Sequence, residues 1–224
     1  MTQIRANSAT DSALFREMLS RRPEQKVKSS GKGEKIVAIG ASTGGTEAIR
    51  RLIRELPLDL PGMLIVQHMP IGFTRRFADS LNQEGRFKVA EAKNGDCVRP
   101  GQVLIAPSGQ HMTVRRSGDV YIVQCSDGAT VNGHRPSVDV LFHSVANAAA
   151  ANAVGVILTG MGADGAAGLV AMRRAGAKTI GQDEGSSIVY GMPKVADDLG
   201  GVEVVQPLEG IAASIVRCLG GVWP

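Results

Sequence analysis

Three side chains in this sequence are of the types that together carry out acyl transfer. Ser42 lies in the segment from Gly40 to Gly44, which matches G-x-S-x-G, the pattern of a strand-to-helix turn that exposes a nucleophilic serine. A serine hydroxyl is a poor nucleophile at neutral pH, so a histidine must take its proton and a carboxylate must orient the imidazole. We therefore predict Ser42 as the nucleophile, His68 as the general acid/base and Asp164 as the orienting carboxylate.

Each of these residues follows a short apolar run that is typical of a buried strand. The runs begin at Ile36, Met63 and Ala153. Helical spacing resumes after each turn, over Thr46 to Ile53, Gly72 to Leu81 and Ala166 to Arg174. In a parallel sheet the residues just past the strands gather along one edge, where ligands bind in open α/β folds. The three side chains are therefore expected to meet at that edge.

The remaining segments complete a pattern of strands that alternate with helices. Further predicted strands are Phe87 to Ala92, Gln102 to Ala106, Lys178 to Gln182 and Gly201 to Val205, with a hairpin of His111 to Arg115 and Val120 to Gln124. Further predicted helices are Ser137 to Ala151 and Leu208 to Leu219. This alternation predicts an α/β fold with a mainly parallel sheet and helices on both faces. The glycine-rich turns after the first and third runs would leave backbone N–H groups free to bind an oxyanion.

Other interpretations of the same residues remain open at this stage. A glycine-rich turn is also typical of a loop that starts a helix or holds a phosphate, and Ser42 or Asp164 could each cap the helix that follows it. Three further histidines compete for the base role. We interpret His111 as structural and His143 as a surface or packed helix residue. His134 is a candidate to support the catalytic residues from behind or to lie in a substrate-binding loop. The order Ser, His, Asp also differs from the Ser, Asp, His of ordinary α/β-hydrolases.

Composition narrows the functional class. The 224 residues are 43% hydrophobic, which is enough for one sizeable core and too few residues for two ordinary catalytic domains. No apolar run is long enough to cross a membrane and the N-terminus is polar, so we expect a cytoplasmic protein without direct membrane insertion. Three scattered cysteines argue against a disulfide framework or a cysteine metal site. Aromatic residues are only 4% and no basic stripe occurs, which argues against nucleic-acid binding.

The chain divides by composition at about residue 34. Residues 1–34 are rich in basic residues and are predicted to be a polar linker or tail, with a short helix possible over Ser12 to Arg22. Residues 35–224 are predicted to form the catalytic domain.

Several motifs of residues 35–224 resemble those of one known family, the protein-glutamate methylesterases of bacterial chemotaxis (the CheB catalytic domain). The matching stretches occur in family order: Ile39-Gly-Ala-Ser-Thr-Gly-Gly45, Val66-Gln-His-Met-Pro70, Ile105-Ala-Pro107, Gly109-Gln-His-Met112, Asn132-Gly-His-Arg-Pro-Ser-Val-Asp139, Leu158-Thr-Gly-Met-Gly-Ala-Asp-Gly165, Gly181-Gln-Asp183 and Val189-Tyr-Gly-Met-Pro193. Together they are far more specific than the serine turn alone.

This resemblance implies a function in two-component signalling. It implies hydrolysis of glutamate γ-methyl esters on the cytoplasmic helices of chemoreceptors, with release of methanol, and deamidation of certain receptor glutamines. It places the family's triad on Ser42, His68 and Asp164, and its oxyanion donors on the backbone of Thr43 and Met161. It also implies a modified doubly wound α/β sheet that needs no metal or organic cofactor.

The sequence departs from the family pattern in places. Thr46 and Ser187 stand where proline and cysteine are common, and neither position bears the chemistry. Typical members carry a phosphorylatable receiver domain ahead of the linker, for which residues 1–34 are too few. We therefore expect either a fragment that begins within the linker, partnered by a receiver domain or the chemotaxis kinase, or a stand-alone member.

Residues around the predicted site suggest how a substrate could be recognised. A helix that presents glutamates favours a cationic rim, for which Arg75, Arg76 and Arg135 are candidates together with His134, although solvated helix faces explain the arginines equally well. Two alternative functions stay open: a non-catalytic phosphate- or receptor-binding α/β module, and a general small-ester hydrolase.

Overall fold

A seven-stranded parallel sheet forms the centre of the protein. The computed structural model describes residues 34–222. The strands are β1 (Ile36–Ala41), β2 (Met63–Gln67), β3 (Lys88–Glu91), β5 (Gln102–Ile105), β8 (Ala153–Ile157), β9 (Lys178–Gln182) and β10 (Val204–Gln206). Their order across the sheet is β10-β9-β8-β1-β2-β5-β3, and every neighbouring pair is parallel. The predicted parallel sheet is therefore confirmed.

Helices cover both faces of this sheet. They are α1 (Gly45–Glu55), α2 (Phe73–Gln83), α3 (Val138–Ala149), α4 (Ala166–Arg174), α5 (Met192–Asp198) and α6 (Leu208–Cys218). Side chains alternate along β1, so Ile36 and Ala38 pack with α3, α4 and α5, while Val37 and Ile39 pack with α1, α2 and α6. The central strands are buried on both sides, which explains their continuous apolar sequences.

A separate three-stranded antiparallel sheet extends the first of these two faces. It consists of β4 (Cys97–Val98), β6 (His111–Ser117) and β7 (Val120–Ser126), in the order β4-β7-β6. The predicted hairpin is thus confirmed, and its apolar side packs under α3 through residues such as Met112 and Val123. This sheet supports the helix whose first turn belongs to the candidate site.

Some sequence predictions differ from the structure. The last strand begins at Val204 rather than Gly201. The backbone N–H of Gly201 donates to the carbonyl of Ala196 in a turn, and that of Glu203 donates to the carbonyl of Thr179. Helix α5 and strand β4 were not predicted: both are short, and tertiary contacts rather than local pattern stabilise them. The predicted tail over residues 1–34 lies outside the described residues except for Glu34, as does the helix proposed for Ser12 to Arg22. Within residues 34–222, no helix has the length and apolar character needed to cross a membrane.

Candidate active site

The register between β1 and β2 places Ser42 beside His68. Ala41 pairs with Gln67 as the last position of both strands, and the backbone N–H of His68 donates to the carbonyl of Ala41 at 3.1 Å. Ser42 and His68 therefore occupy the next position along neighbouring strands. This register therefore places the two residues side by side, directly after the ends of β1 and β2.

Asp164 approaches from the other neighbour of β1. It lies in the turn between β8 and α4, and its Oδ2 is 2.8 Å from Nε2 of His68. Both side chains are sheltered from solvent, with 8% of the His68 side chain and 1% of the Asp164 side chain exposed. The structure therefore brings together the predicted histidine and carboxylate, which are 96 residues apart in sequence.

The Asp164 carboxylate lies at the first turn of α3. Its oxygens accept hydrogen bonds from the Ser137 hydroxyl (2.7 Å), the Asn132 amide (3.0 Å) and the backbone N–H groups of Val138 (2.7 Å) and Asp139 (3.2 Å). Burial by itself would raise the pKa of Asp164, but these donors and His68 outweigh it and hold the pKa well below its usual range. Asp164 therefore stays ionised and accepts hydrogen bonds only.

The structure rules out the interpretation of Ser42 and Asp164 as side-chain caps of the helices that follow them. Helix α4 is capped by Gly165 and helix α1 by Gly44, both without a side-chain hydrogen bond. Asp164 instead serves the N-terminus of a helix that precedes it in sequence, where a negative charge is stabilised by the helix dipole.

The ionised carboxylate fixes the tautomer of His68. Because Asp164 can only accept, Nε2 of the neutral imidazole carries the proton and Nδ1 presents a lone pair. Nδ1 is buried and has no hydrogen-bond partner among residues 34–222. The expected contact between Ser42 and His68 is therefore not made in this structure, and Nδ1 is the nitrogen left to receive the Ser42 proton.

A second imidazole covers the first. The ring of His134 stacks on that of His68 with centroids 3.7 Å apart and planes 10° from parallel. Burial lowers the pKa of His134, and the nearby His68 lowers it further, against an opposing effect of Asp164. Both histidines line an open pocket of about 330 Å³ with Met69, Arg135 and Pro136 among its other walls.

Two backbone N–H groups at the turns are available for an oxyanion. The N–H of Ser42 is already used by the carbonyl of Thr159 at 3.0 Å, whereas no described residue accepts a hydrogen bond from the N–H of Thr43 or Met161. The buried hydroxyl of Thr159 donates to the carbonyl of Thr43 at 2.9 Å and so joins the two turns. Gly160 permits their close approach, because a Cβ there would lie 2.8 Å from Cβ of Ser42.

The other candidate residues lie around this centre in different ways. Arg75 and Arg76 are exposed on α2, with the Arg76 guanidinium 5.8 Å from the centroid of the Phe73 ring. Arg135 is exposed and donates to the carbonyl of Gly128. His111 is structural as predicted: its Nε2 is 2.9 Å from the carbonyl of Ala129, and its Nδ1 accepts from the N–H of Ser137.

Several polar residues that surround His68 and Asp164 were not predicted from the sequence. Asn132 donates to both Asp139 (2.7 Å) and Asp164 (3.0 Å), and Asp139 in turn accepts from the backbone N–H of Gly168 at 2.6 Å. The available signal was the pair of polar residues Ser137 and Asp139 at the start of an apolar-faced helix. In the local sequence this pair indicates no more than helix capping. Ser137 does accept from the N–H of Val140 at 3.4 Å, so its cap role was visible and its contact with Asp164 was not.

Fold and site together define a class of protein: an α/β domain that carries the residue set of serine hydrolases at the C-terminal edge of a parallel sheet. The chain belongs to the CheB methylesterase family, whose model matches residues 37–215.

Individual relatives agree with this membership. A protein-glutamate methylesterase/protein-glutamine glutaminase of Syntrophotalea carbinolica is 56% identical over 186 residues, which cover 83% of this chain and 53% of that protein. The protein of the same name from Escherichia coli K12 is 57% identical over 183 residues, which cover 82% of this chain and 52% of that protein. The chain thus spans about half the length of the curated relatives it matches.

A solved structure matches the fold. The crystal structure of the Thermotoga maritima CheB methylesterase catalytic domain superimposes with a TM-score of 0.80 at 34% sequence identity. The match covers 82% of this chain and 98% of that one, so the similarity extends over that whole domain.

Proposed function

We propose that residues 35–224 form a serine hydrolase that removes methyl esters from glutamate side chains of chemoreceptors, with release of methanol, in chemotactic adaptation. The observation that carries this proposal is the hydrogen bond between His68 and Asp164, at the sheet edge where Ser42 directly follows β1. The names of the relatives favour an esterase over a non-catalytic binding module.

The chemistry follows from the proton positions. Nδ1 of His68 takes the proton of Ser42 Oγ as that oxygen attacks the ester carbonyl. This hydrogen bond is absent from the structure, and contacts of this kind often tighten only when substrate binds. The imidazolium then forms next to the Asp164 carboxylate, which stabilises its charge.

The tetrahedral intermediate collapses in the usual way for an ester. Its oxyanion is held by the N–H groups of Thr43 and Met161, which have no acceptor among the described residues. His68 returns the proton to the methoxide, methanol leaves and the glutamyl group remains on Ser42. Water, deprotonated by His68, hydrolyses this acyl-enzyme and restores the glutamate carboxylate.

The same sequence of steps accommodates a glutamine side chain. Attack of Ser42 on the amide carbon gives the same acyl-enzyme, and His68 protonates the departing ammonia. Deamidation therefore requires no further residue, which supports glutaminase activity as part of the proposal.

The substrate also sets the partners and location. Receptor glutamates on cytoplasmic helices require a cytoplasmic enzyme, and we place the protein there. A receiver domain is the proposed regulator, whether it is carried on the same polypeptide or on another.

The decisive measurement is methanol release from methylated receptor membranes by wild type, Ser42→Ala and Thr46→Ala. We expect Ser42→Ala to lose release by several orders of magnitude, because the nucleophile is absent. Thr46→Ala removes an exposed hydroxyl four residues away and serves as the matched control. Equal rates for wild type and Ser42→Ala would refute the proposal.

A further inference from the structure

A buried glutamine joins the residues that we propose as nucleophile and base. Gln67 is the last residue of β2, and only 3% of it is exposed. Its Nε2 donates to the carbonyl oxygen of Ser42 at 2.9 Å and to that of His68 at 3.0 Å. One side-chain amide therefore connects the main chains of both residues.

The orientation of this amide is determined by its partners. Rotating it by 180° would place Oε1 against two carbonyl oxygens, none of which can donate a proton. In the observed orientation Oε1 is buried and has no hydrogen-bond partner among residues 34–222. A buried acceptor without a partner is destabilising, so the fold carries a cost at this position.

The position of Gln67 at the end of β2 indicates what its side-chain amide contributes to the site. The last backbone hydrogen bond between β1 and β2 runs from the N–H of His68 to the carbonyl of Ala41 at 3.1 Å, so no backbone bond pairs Ser42 itself with His68. The N–H of Ser42 turns to Thr159 on the other side of β1. Past the end of the ladder, the Gln67 amide is the direct hydrogen-bonded connection between the main chains of Ser42 and His68 among the described residues.

Glycine at the start of α1 makes room for this amide. A Cβ at Gly45 would lie 2.1 Å from Oε1 of Gln67 and 2.6 Å from Cβ of Ala41. The N–H of Gly45 also donates to the Ser42 carbonyl at 2.8 Å, so the same carbonyl is held by two donors. Any larger residue at position 45 would have to displace the Gln67 amide or the strand end.

We propose that Gln67 is a positioning residue that fixes the distance between the Ser42 and His68 main chains, an inference that rests on the proposed serine-hydrolase function. It touches neither substrate nor the reacting atoms. It acts by holding Ser42 where its hydroxyl can reach Nδ1 of His68. A displacement of about 1 Å between reacting groups can lower the rate about 100-fold, so this connection should be visible in catalysis rather than in substrate binding.

The test compares wild type with Gln67→Met, which keeps the length of the side chain and removes both donors and the unpaired acceptor. We expect kcat for methanol release to fall about 10- to 100-fold with KM unchanged. The rate at which a serine-reactive phosphonate labels Ser42 should fall by a similar factor. The urea midpoint should stay near that of wild type, because the Ser42 carbonyl keeps the N–H of Gly45 and the removal of the unpaired Oε1 offsets the donor lost by the His68 carbonyl.

Thr179→Val is the matched control. Thr179 is a fully buried polar residue on β9 whose hydroxyl accepts from the N–H of Glu203 at 3.0 Å. The Thr179→Val variant loses this partly buried hydrogen bond without touching the site, so its labelling rate should equal that of wild type. A second variant, Gly45→Ala, displaces the amide from outside and should also slow labelling, even if Gln67→Met fails to fold.

The outcomes separate this inference from the proposed function. Equal labelling of wild type, Gln67→Met and Gly45→Ala overturns the role of Gln67 and leaves the esterase proposal standing. A loss in Thr179→Val as large as that in Gln67→Met overturns it as well, because a general effect on folding would then suffice. A wild-type protein that neither labels at Ser42 nor releases methanol overturns both proposals.

Discussion

The imidazole of His134 lies flat against that of His68, with ring centroids 3.7 Å apart and planes within 10° of parallel. His68 is thus confined on one face by a ring and along one edge by the Asp164 carboxylate. The ring and the carboxylate together restrict the orientation of the His68 imidazole.

The stack predicts a pH dependence of stability. The pKa of His134 is lowered in the folded protein, so the unfolded chain binds the proton more readily as pH falls below about 6.5. The free energy of unfolding therefore decreases between about pH 7 and about pH 5. His134→Phe keeps a flat ring and cannot ionise, so it should show a smaller decrease. Urea unfolding at both pH values measures this.

His143→Phe is the control for that comparison, since His143 is exposed on α3. It should lose stability on acidification as wild type does. If His134→Phe retains the full decrease, ionisation of His134 is not its cause.

Asp164→Asn should abolish most of the activity. An amide can present its NH₂ group to the ring and favour the wrong tautomer of His68, which in a serine triad lowers kcat about 10⁴-fold. Methanol release at saturating substrate measures the loss. Asp198→Asn, on an exposed carboxylate paired with Lys194, is the control and should be fully active. An Asp164→Asn protein within tenfold of wild type would contradict the assigned role.

The same substitution should change the acid stability. The pKa of Asp164 is depressed on folding, so its contribution is present above the unfolded value near 4 and is lost as pH falls below that value. Wild type should therefore lose stability on acidification through this range, while Asp164→Asn lacks this component. Urea midpoints at about pH 6 and about pH 3 compare the two proteins. Parallel curves would show that Asp164 contributes no such effect.

Asn132 should prove necessary for the function of Asp164. Its amide is shared by Asp139 and Asp164, two buried carboxylates, so its removal leaves like charges without a common donor and raises the pKa of Asp164. We expect kcat to fall about tenfold in both Asn132→Gly and Asn132→Ala, a loss typical of a residue that orients another side chain of the site.

The two variants separate side chain from backbone. Asn132 has a φ of 53°, which glycine adopts freely, whereas alanine pays about 1 kcal/mol. Only Asn132→Ala should therefore show the additional loss of stability. Wild-type kcat in Asn132→Gly would assign the effect to the backbone alone.

The exposed arginines of α2 should contribute to receptor binding. Arg75 and Arg76 have no carboxylate partner within residues 34–222, whereas Arg50, Arg51 and Arg54 on α1 are paired with Glu84 or Glu209. We expect Arg75→Glu/Arg76→Glu to raise KM for methylated receptors several-fold, and added salt to reduce the difference. Arg115→Glu, on the small sheet, is the control. A double variant with unchanged KM would leave these side chains as solvated surface.

The strand ends were predictable because their signal is local. An unbroken apolar run such as that of β1, followed by glycines and a new helical period, identifies a buried strand and the turn after it. Three apolar runs of this kind, each followed by a turn and a helix, predict that Ser42, His68 and Asp164 lie at one edge of the sheet. The short elements α5 and β4 carried too few residues for a periodic pattern, and the start of β10 depended on which neighbour accepts its N–H groups.

Local sequence was enough to predict that Ser42, His68 and Asp164 lie at one edge of the sheet, because parallel strands end on the same side. The folded structure was needed to find that Asp164 accepts hydrogen bonds from the first turn of α3, that His134 stacks on His68 and that Gln67 joins two carbonyls. Each of these contacts pairs residues whose local sequence is satisfied by a simpler role, such as a cap, a loop histidine or a strand end. Hydrogen bonds and ring contacts depend on distances of a few ångströms between segments far apart in the chain, and periodicity contains no information about those distances.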